Sequence, residues 1–142
     1  MAVSTADIIQ QLDLSPHPEG GWYKETWRAA TVPETRASGT AIYFLLTRGQ
    51  RSHWHKVDAT EIWLFHAGAP LTLELSDGGK TTREITLGPD IKNGEQPQAI
   101  VPPHCWQAAE SLADWTLVSC TVSPGFEFEG FELAPPGWSP GA

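Results

Sequence analysis

From Gly39 onward turn residues cut the chain into short apolar runs, and no later segment carries a long helical period. The runs are Thr40 to Thr47, Glu61 to His66, Leu71 to Leu75, Arg83 to Leu87, Ala99 to Val101, Thr116 to Val122 and Phe126 to Leu133. Leu71-Thr72-Leu73-Glu74-Leu75 alternates, which buries one face and wets the other, and Asp77-Gly78-Gly79 supplies positive-φ residues for a hairpin turn. Phe126-Glu127-Phe128-Glu129 alternates in the same way. With no helix to lie on them, strands must cover strands, so the expected architecture is all-β: a sandwich, a jelly roll or a closed barrel.

The one helical signal lies near the start. Ser4-Thr5-Ala6-Asp7 opens with a hydroxyl cap, and Ile8, Ile9 and Leu12 then share a face. Two prolines and two glycines in Ser15-Pro16-His17-Pro18-Glu19-Gly20-Gly21 force a turn before a strand from Trp22 to about Trp27. At 142 residues, 40% hydrophobic and with seven tryptophans, the chain suits one domain over 1–142, with a barrel over about 14–135.

Charge and composition narrow the function classes. A formal net charge of -8 disfavours nucleic acid, whose phosphates are gripped by lysine and arginine. No apolar run approaches the roughly 18 residues of a spanning helix, and the first residues lack a basic segment leading into an apolar one. No membrane association and a cytoplasmic location are therefore expected. Cys105 and Cys120 lack Cys-x-x-Cys spacing and are expected to be reduced and buried.

The segment that bears chemistry is Ser52-His53-Trp54-His55-Lys56 leading to Glu61-Ile62-Trp63. Two histidines two apart point to the same side of an extended strand, about 6.6 Å apart along it, close enough for both imidazoles to converge on one ion. Imidazole and carboxylate ligands suit zinc, nickel, iron or manganese. The order His-x-His, glutamate, glycine is similar to the first cupin motif. Val101-Pro102-Pro103-His104-Cys105-Trp106-Gln107 is similar to the second, with His104 at its glycine position and Gln107 at that of its last histidine.

Longer phrases make the likeness specific: His17-Pro18-Glu19-Gly20-Gly21-Trp22-Tyr23-Lys24-Glu25, Trp106-Gln107-Ala108-Ala109, and Ser119-Cys120-Thr121-Val122-Ser123-Pro124-Gly125-Phe126-Glu127-Phe128. On these the chain resembles the DUF985, or cupin-5, subfamily of the RmlC-like cupins. The resemblance implies a jelly-roll β-barrel, a homodimer, and a pocket inside the barrel reminiscent of sugar-nucleotide epimerases and other small-ligand cupins. His55 and Glu61 look typical of the subfamily.

Two expectations follow for the site. In the first, His53, His55 and Glu61 hold one divalent metal, Gln107 or His104 completes the shell, and Glu61 or Glu25 moves a proton in an isomerisation or oxygenation. Tyr43 is then a candidate acid partner. In the second, a metal-free sensor or carrier selects a small organic ligand by stacking and hydrogen bonds, with Trp63, Phe65, Trp106, Gln98 and Gln107 as its contacts. Glu19 is weighed beside Glu25 as a general base if burial raises its pKa. His17, in a proline-rich turn, and His66, of opposite strand parity to Glu61, are expected to lie outside the site.

Overall fold

The computed structural model describes residues 3–141. A short helix, α1 (Thr5–Gln11), is closed by a capping box in which the Ser4 hydroxyl accepts from the Asp7 N–H and the Asp7 carboxylate accepts from the Ser4 N–H. Eleven strands follow: β1 (Ser15–Pro16), β2 (Trp22–Arg28), β3 (Thr40–Thr47), β4 (Arg51–Val57), β5 (Thr60–Gly68), β6 (Leu71–Ser76), β7 (Arg83–Leu87), β8 (Gln98–Val101), β9 (Trp106–Ser111), β10 (Trp115–Ser123) and β11 (Phe131–Leu133). They form two antiparallel sheets, β1-β2-β3-β10-β5-β8 and β11-β4-β9-β6-β7. This is the expected all-β jelly roll with a short N-terminal helix.

The inner faces meet in a core of Phe44, Leu46, Trp63, Leu71, Leu73, Leu75, Leu87 and Val118. That core fills one end of the barrel; the other end, lined by β2, β4, the start of β5 and the end of β10, stays open. A second apolar layer lies outside the first sheet, where Ile8 and Leu14 cover Leu45, Trp22 and Tyr43. The chain end folds back over the second sheet, placing Trp138 against Trp54 and Trp106.

Three local features differ from the sequence reading. The Ala-rich run Trp106–Ser111, poor in β-formers, is a central strand because β4 and β6 flank it on both sides. Phe126–Leu133 is not one strand: Phe128–Gly130 forms a 3₁₀ turn, and a Cβ at Gly130 would lie 2.3 Å from the Asp58 carboxylate. Finally, β4 shifts register against β9 between Ser52 and His55, so Ser52 and His55 both face inward although they are three residues apart. The two cysteines are free and buried, as expected.

Candidate functional site

The loop between β1 and β2 reaches into the open end of the barrel because two glycines let it. At Gly20 (φ 104°) a Cβ would sit 2.2 Å from the Arg51 carbonyl oxygen, and at Gly21 (φ 87°) one would sit 2.7 Å from the Phe44 ring. The loop is pinned there by the His53 N–H, which donates to the Glu19 carbonyl at 2.7 Å. The threading buries His17 and Glu19, with 9% and 8% of their surface exposed, beside His55 at 2% and Glu61 at 7%.

These four side chains face a cavity of about 320 Å³, within the roughly 300–1,000 Å³ typical of small-molecule sites. Its aromatic walls are Tyr23, Phe126, Phe128 and Phe131, and Lys24, Glu25 and Arg28 lie at its mouth.

Hydrogen bonding fixes the proton positions. His55 Nδ1 lies 2.8 Å from the His53 carbonyl oxygen and 3.1 Å from Glu19 Oε2, so it carries the hydrogen and Nε2 keeps a free lone pair. His17 Nδ1 accepts from the Glu19 backbone N–H at 3.1 Å, yet Glu19 Oε1 is also 3.1 Å away. An ionised oxygen facing that lone pair would be repelled, so the neutral acid is the form that fits. The Ser52 hydroxyl donates to Glu19 Oε2.

Below the cavity, Trp63 Nε1 donates to Gln107 Oε1 at 2.9 Å and Gln107 Nε2 donates to Glu61 Oε1 at 2.8 Å. Indole N–H is a donor only, so it sets which way the amide points.

Electrostatics follow from burial. Desolvation pushes Glu19 up to about 8, against the pull of the Ser52 hydrogen bond. Desolvation, opposed by His55 and reinforced by Glu19, brings Glu61 to about 7. Burial also lowers His17 to about 4, helped by His55, and lowers His55. Near neutral pH the pocket therefore holds two neutral imidazoles and two carboxyls at the edge of ionisation. Burial raises the Cys120 thiol beside Glu61 well above its ordinary range.

Of the residues singled out from sequence, His55, Glu61 and Glu25 face the cavity, and Gln107 and Trp63 support its floor from the core. The expected ligand set of His53, His55 and Glu61, completed by Gln107 or His104, is not brought together. The β4 register shift takes the His53 ring out of line with His55, and its Nε2 meets the Pro135 carbonyl oxygen at 3.0 Å. His104 sits exposed at φ 65° in the turn before β9. Gln107 turns its NH₂ toward Glu61. Among the described residues no group of three or more His, Cys, Asp or Glu is arranged to hold a metal ion.

The other candidates also lie elsewhere. Trp106 packs outside on Trp138 at 4.6 Å, under the Lys56 ammonium at 4.7 Å. Gln98 is exposed at the start of β8, and Phe65 packs on the filled end of the core. Tyr43 lies on the outer face of β3, its ring 6.4 Å from that of His66. Glu25 accepts from two of the three guanidinium nitrogens of Arg28, Nε and Nη2, each at 2.9 Å.

His17, expected outside the site, lines the cavity, and the signal that marks it is the Gly20-Gly21 pair, which allows close backbone approach. Replacing His53 by alanine is expected to change stability by no more than about 1 kcal/mol and to leave the pocket intact, whereas His55→Ala opens a buried hole beside Glu19. Thermal unfolding of the two variants checks this.

Comparison with known proteins places the chain. The family described as Cupin superfamily (DUF985), Cupin_5, matches residues 6–134. An uncharacterised protein of Saccharomyces cerevisiae is 31% identical, covering 89% of this chain and 73% of its own length. A crystal structure of a Shewanella oneidensis protein is 39% identical, with a TM-score of 0.89 over 94% of this chain and 85% of that one. Oxalate decarboxylase of Bacillus subtilis, a protein with Mn(II) centres, shares the fold at 13% identity, with a TM-score of 0.63 over 85% of this chain and 30% of that one. No helix among the described residues is long and apolar enough to cross a membrane.

Proposed function

Because the chain belongs to the Cupin_5 (DUF985) family of the cupin superfamily, we propose that it binds a small organic molecule in its barrel and moves a proton on it with buried carboxyls. The observation that carries this reading is the pairing of Glu19 and Glu61 on one cavity, with pKa values brought to about 8 and about 7. Two carboxyls poised on either side of working pH divide the labour: the neutral one donates, the ionised one accepts.

Glu61 is the base and Glu19 the acid. A substrate with a C–H next to a carbonyl gives its proton to a Glu61 oxygen while Glu19 protonates the carbonyl oxygen, forming an enol. Return of the proton from Glu61 to the opposite face of the same carbon, with the enol O–H proton going back to Glu19, completes an epimerisation. Where that carbon also bears a hydroxyl the intermediate is an enediol, and Glu61 delivering its proton to the former carbonyl carbon while ionised Glu19 takes the proton of the other hydroxyl completes an isomerisation. Glu25, paired with Arg28 at the mouth, contributes charge there rather than proton transfer.

The test is a panel of small hydroxy-ketones, hydroxy-aldehydes and keto acids incubated in D₂O and followed by proton NMR. A member of the panel is expected to lose its α-proton signal with the protein present. A compound that binds without exchange would make the protein a carrier or sensor instead.

A divalent metal, zinc, nickel, iron or manganese, is the second reading, favoured by the free Nε2 of His55 next to Glu61. The Gln107 NH₂ on Glu61 argues against it. Elemental analysis of protein purified without tag or chelator is expected to find less than stoichiometric metal.

A homodimer completes the proposal. β2 pairs with β1 only through Trp22 and Tyr23, so Lys24 to Arg28 leave one backbone edge open, next to Trp27 at 54% exposure. Sedimentation velocity at micromolar concentration is expected to give a dimer, and a monomer there would remove this part.

A further inference from the structure

We infer that Gln107, oriented by Trp63, is the residue that keeps divalent cations out of this pocket, and that the site lies one substitution away from a metal centre. The inference rests on the metal-independent reading above and adds the device that enforces it.

Three groups converge beneath the cavity. His55 and Gln107 are cross-strand partners in β4 and β9, and Gln107 touches Glu61 at 2.8 Å. Glu61 offers carboxylate oxygens and His55 a free Nε2, both good ligands for a borderline cation. A third donor is needed, and Gln107 has one in its amide oxygen. That oxygen is turned away and occupied by the Trp63 indole N–H at 2.9 Å.

The amide face presented to Glu61 is therefore the NH₂, whose hydrogens occupy the approach that a cation about 2.1 Å from a carboxylate oxygen would need. Rotating the amide would set its NH₂ against the indole N–H, two donors face to face inside a core where Trp63 and Gln107 are each 1% exposed. Trp63 thus locks the amide in its cation-rejecting orientation. Gln107→His removes the lock and supplies an imidazole on the strand neighbouring His55.

The experiment titrates cobalt(II) into wild type, Gln107→His and Trp63→Phe, reading visible d–d absorption and stoichiometry, with circular dichroism as the folding check. Wild type is expected to show no specific band. Gln107→His is expected to bind one equivalent with a ligand-field spectrum, and His55→Ala in that background to lose it. The gain should exceed the roughly 10–100-fold that a ligand's hydrogen-bonding partner is worth, since a ligand itself is added. Trp63→Phe, which frees the amide to rotate, should show a smaller gain, and it decides the matter if Gln107→His does not fold.

Folded Gln107→His and Trp63→Phe that bind cobalt no better than wild type would overturn the inference and leave the metal-independent reading standing. Wild type that binds one equivalent, with a band lost in His55→Ala, would overturn both.

Discussion

Raising the pH from 6.5 to 8 is expected to lower the unfolding free energy by about 2 kcal/mol, or about 6 °C in melting temperature. The sign comes from the four buried groups. Glu19 and Glu61 have folded pKa values of about 8 and about 7, above their ordinary 4.5. Their neutral form is the one the fold accepts, so their contribution is fully present below pH 4.5 and is lost as pH climbs toward 8. His17 and His55 run the other way: held below 6.5, they contribute fully above that pH and lose their contribution as it falls, for His17 toward about 4.

Between pH 4.5 and 6.5 the two pairs oppose each other and stability stays nearly level. Above 6.5 the histidine contribution is almost complete and the carboxyls alone set the slope. Glu19→Gln, which keeps a neutral side chain of the same size, should flatten the alkaline arm. Thermal melts at fixed ionic strength across this range check it; a wild-type profile that rises to pH 8 would mean that Glu19 and Glu61 are ordinary ionised carboxylates.

Glu61→Gln is expected to slow solvent deuterium exchange into the substrate by about 10²–10⁴-fold, the contribution of a positioned general base. The amide preserves the volume and can still accept from Gln107, so ligand affinity should change far less than turnover. Glu25→Gln, at the mouth and engaged with Arg28, should leave turnover within about tenfold, since a rim charge bears on encounter rather than on the proton in flight. Exchange that persists undiminished in Glu61→Gln would place the base elsewhere, with His55 Nε2 the next group to test.

The architecture was legible because alternation and turn residues depend on local chemistry. Leu71 to Leu75 points its leucines into the core as its period demands, and it pairs with Arg83 to Leu87 across the turn that follows Asp77. Glu61 and Trp63 share a face for the same reason. What could not be read depends on contacts remote in sequence. Strand parity placed His53 with His55, and a register shift against β9 undid that; Phe126 to Glu129 alternates like a strand, yet packing of Gly130 on Asp58 bends it into a turn.

Trp63, Phe65 and Trp106 do not line the cavity; its aromatic walls are Tyr23, Phe126, Phe128 and Phe131, which come from β2, β11 and the segment before β11. A histidine between prolines reads as turn chemistry, which hides the place of His17 in the cavity wall. Only the following Gly20-Gly21 hints that the turn is pressed against the barrel.

The most direct measurement is a carbon-13 NMR titration of protein labelled at the glutamate carboxyl carbon, with Glu19→Gln and Glu61→Gln assigning the resonances. Two carboxyls that stay protonated past pH 6 and titrate near 7 and 8 are the predicted result. If every glutamate titrates in the ordinary range near 4.5, the pocket holds no acid poised for proton transfer and the proposed chemistry is wrong.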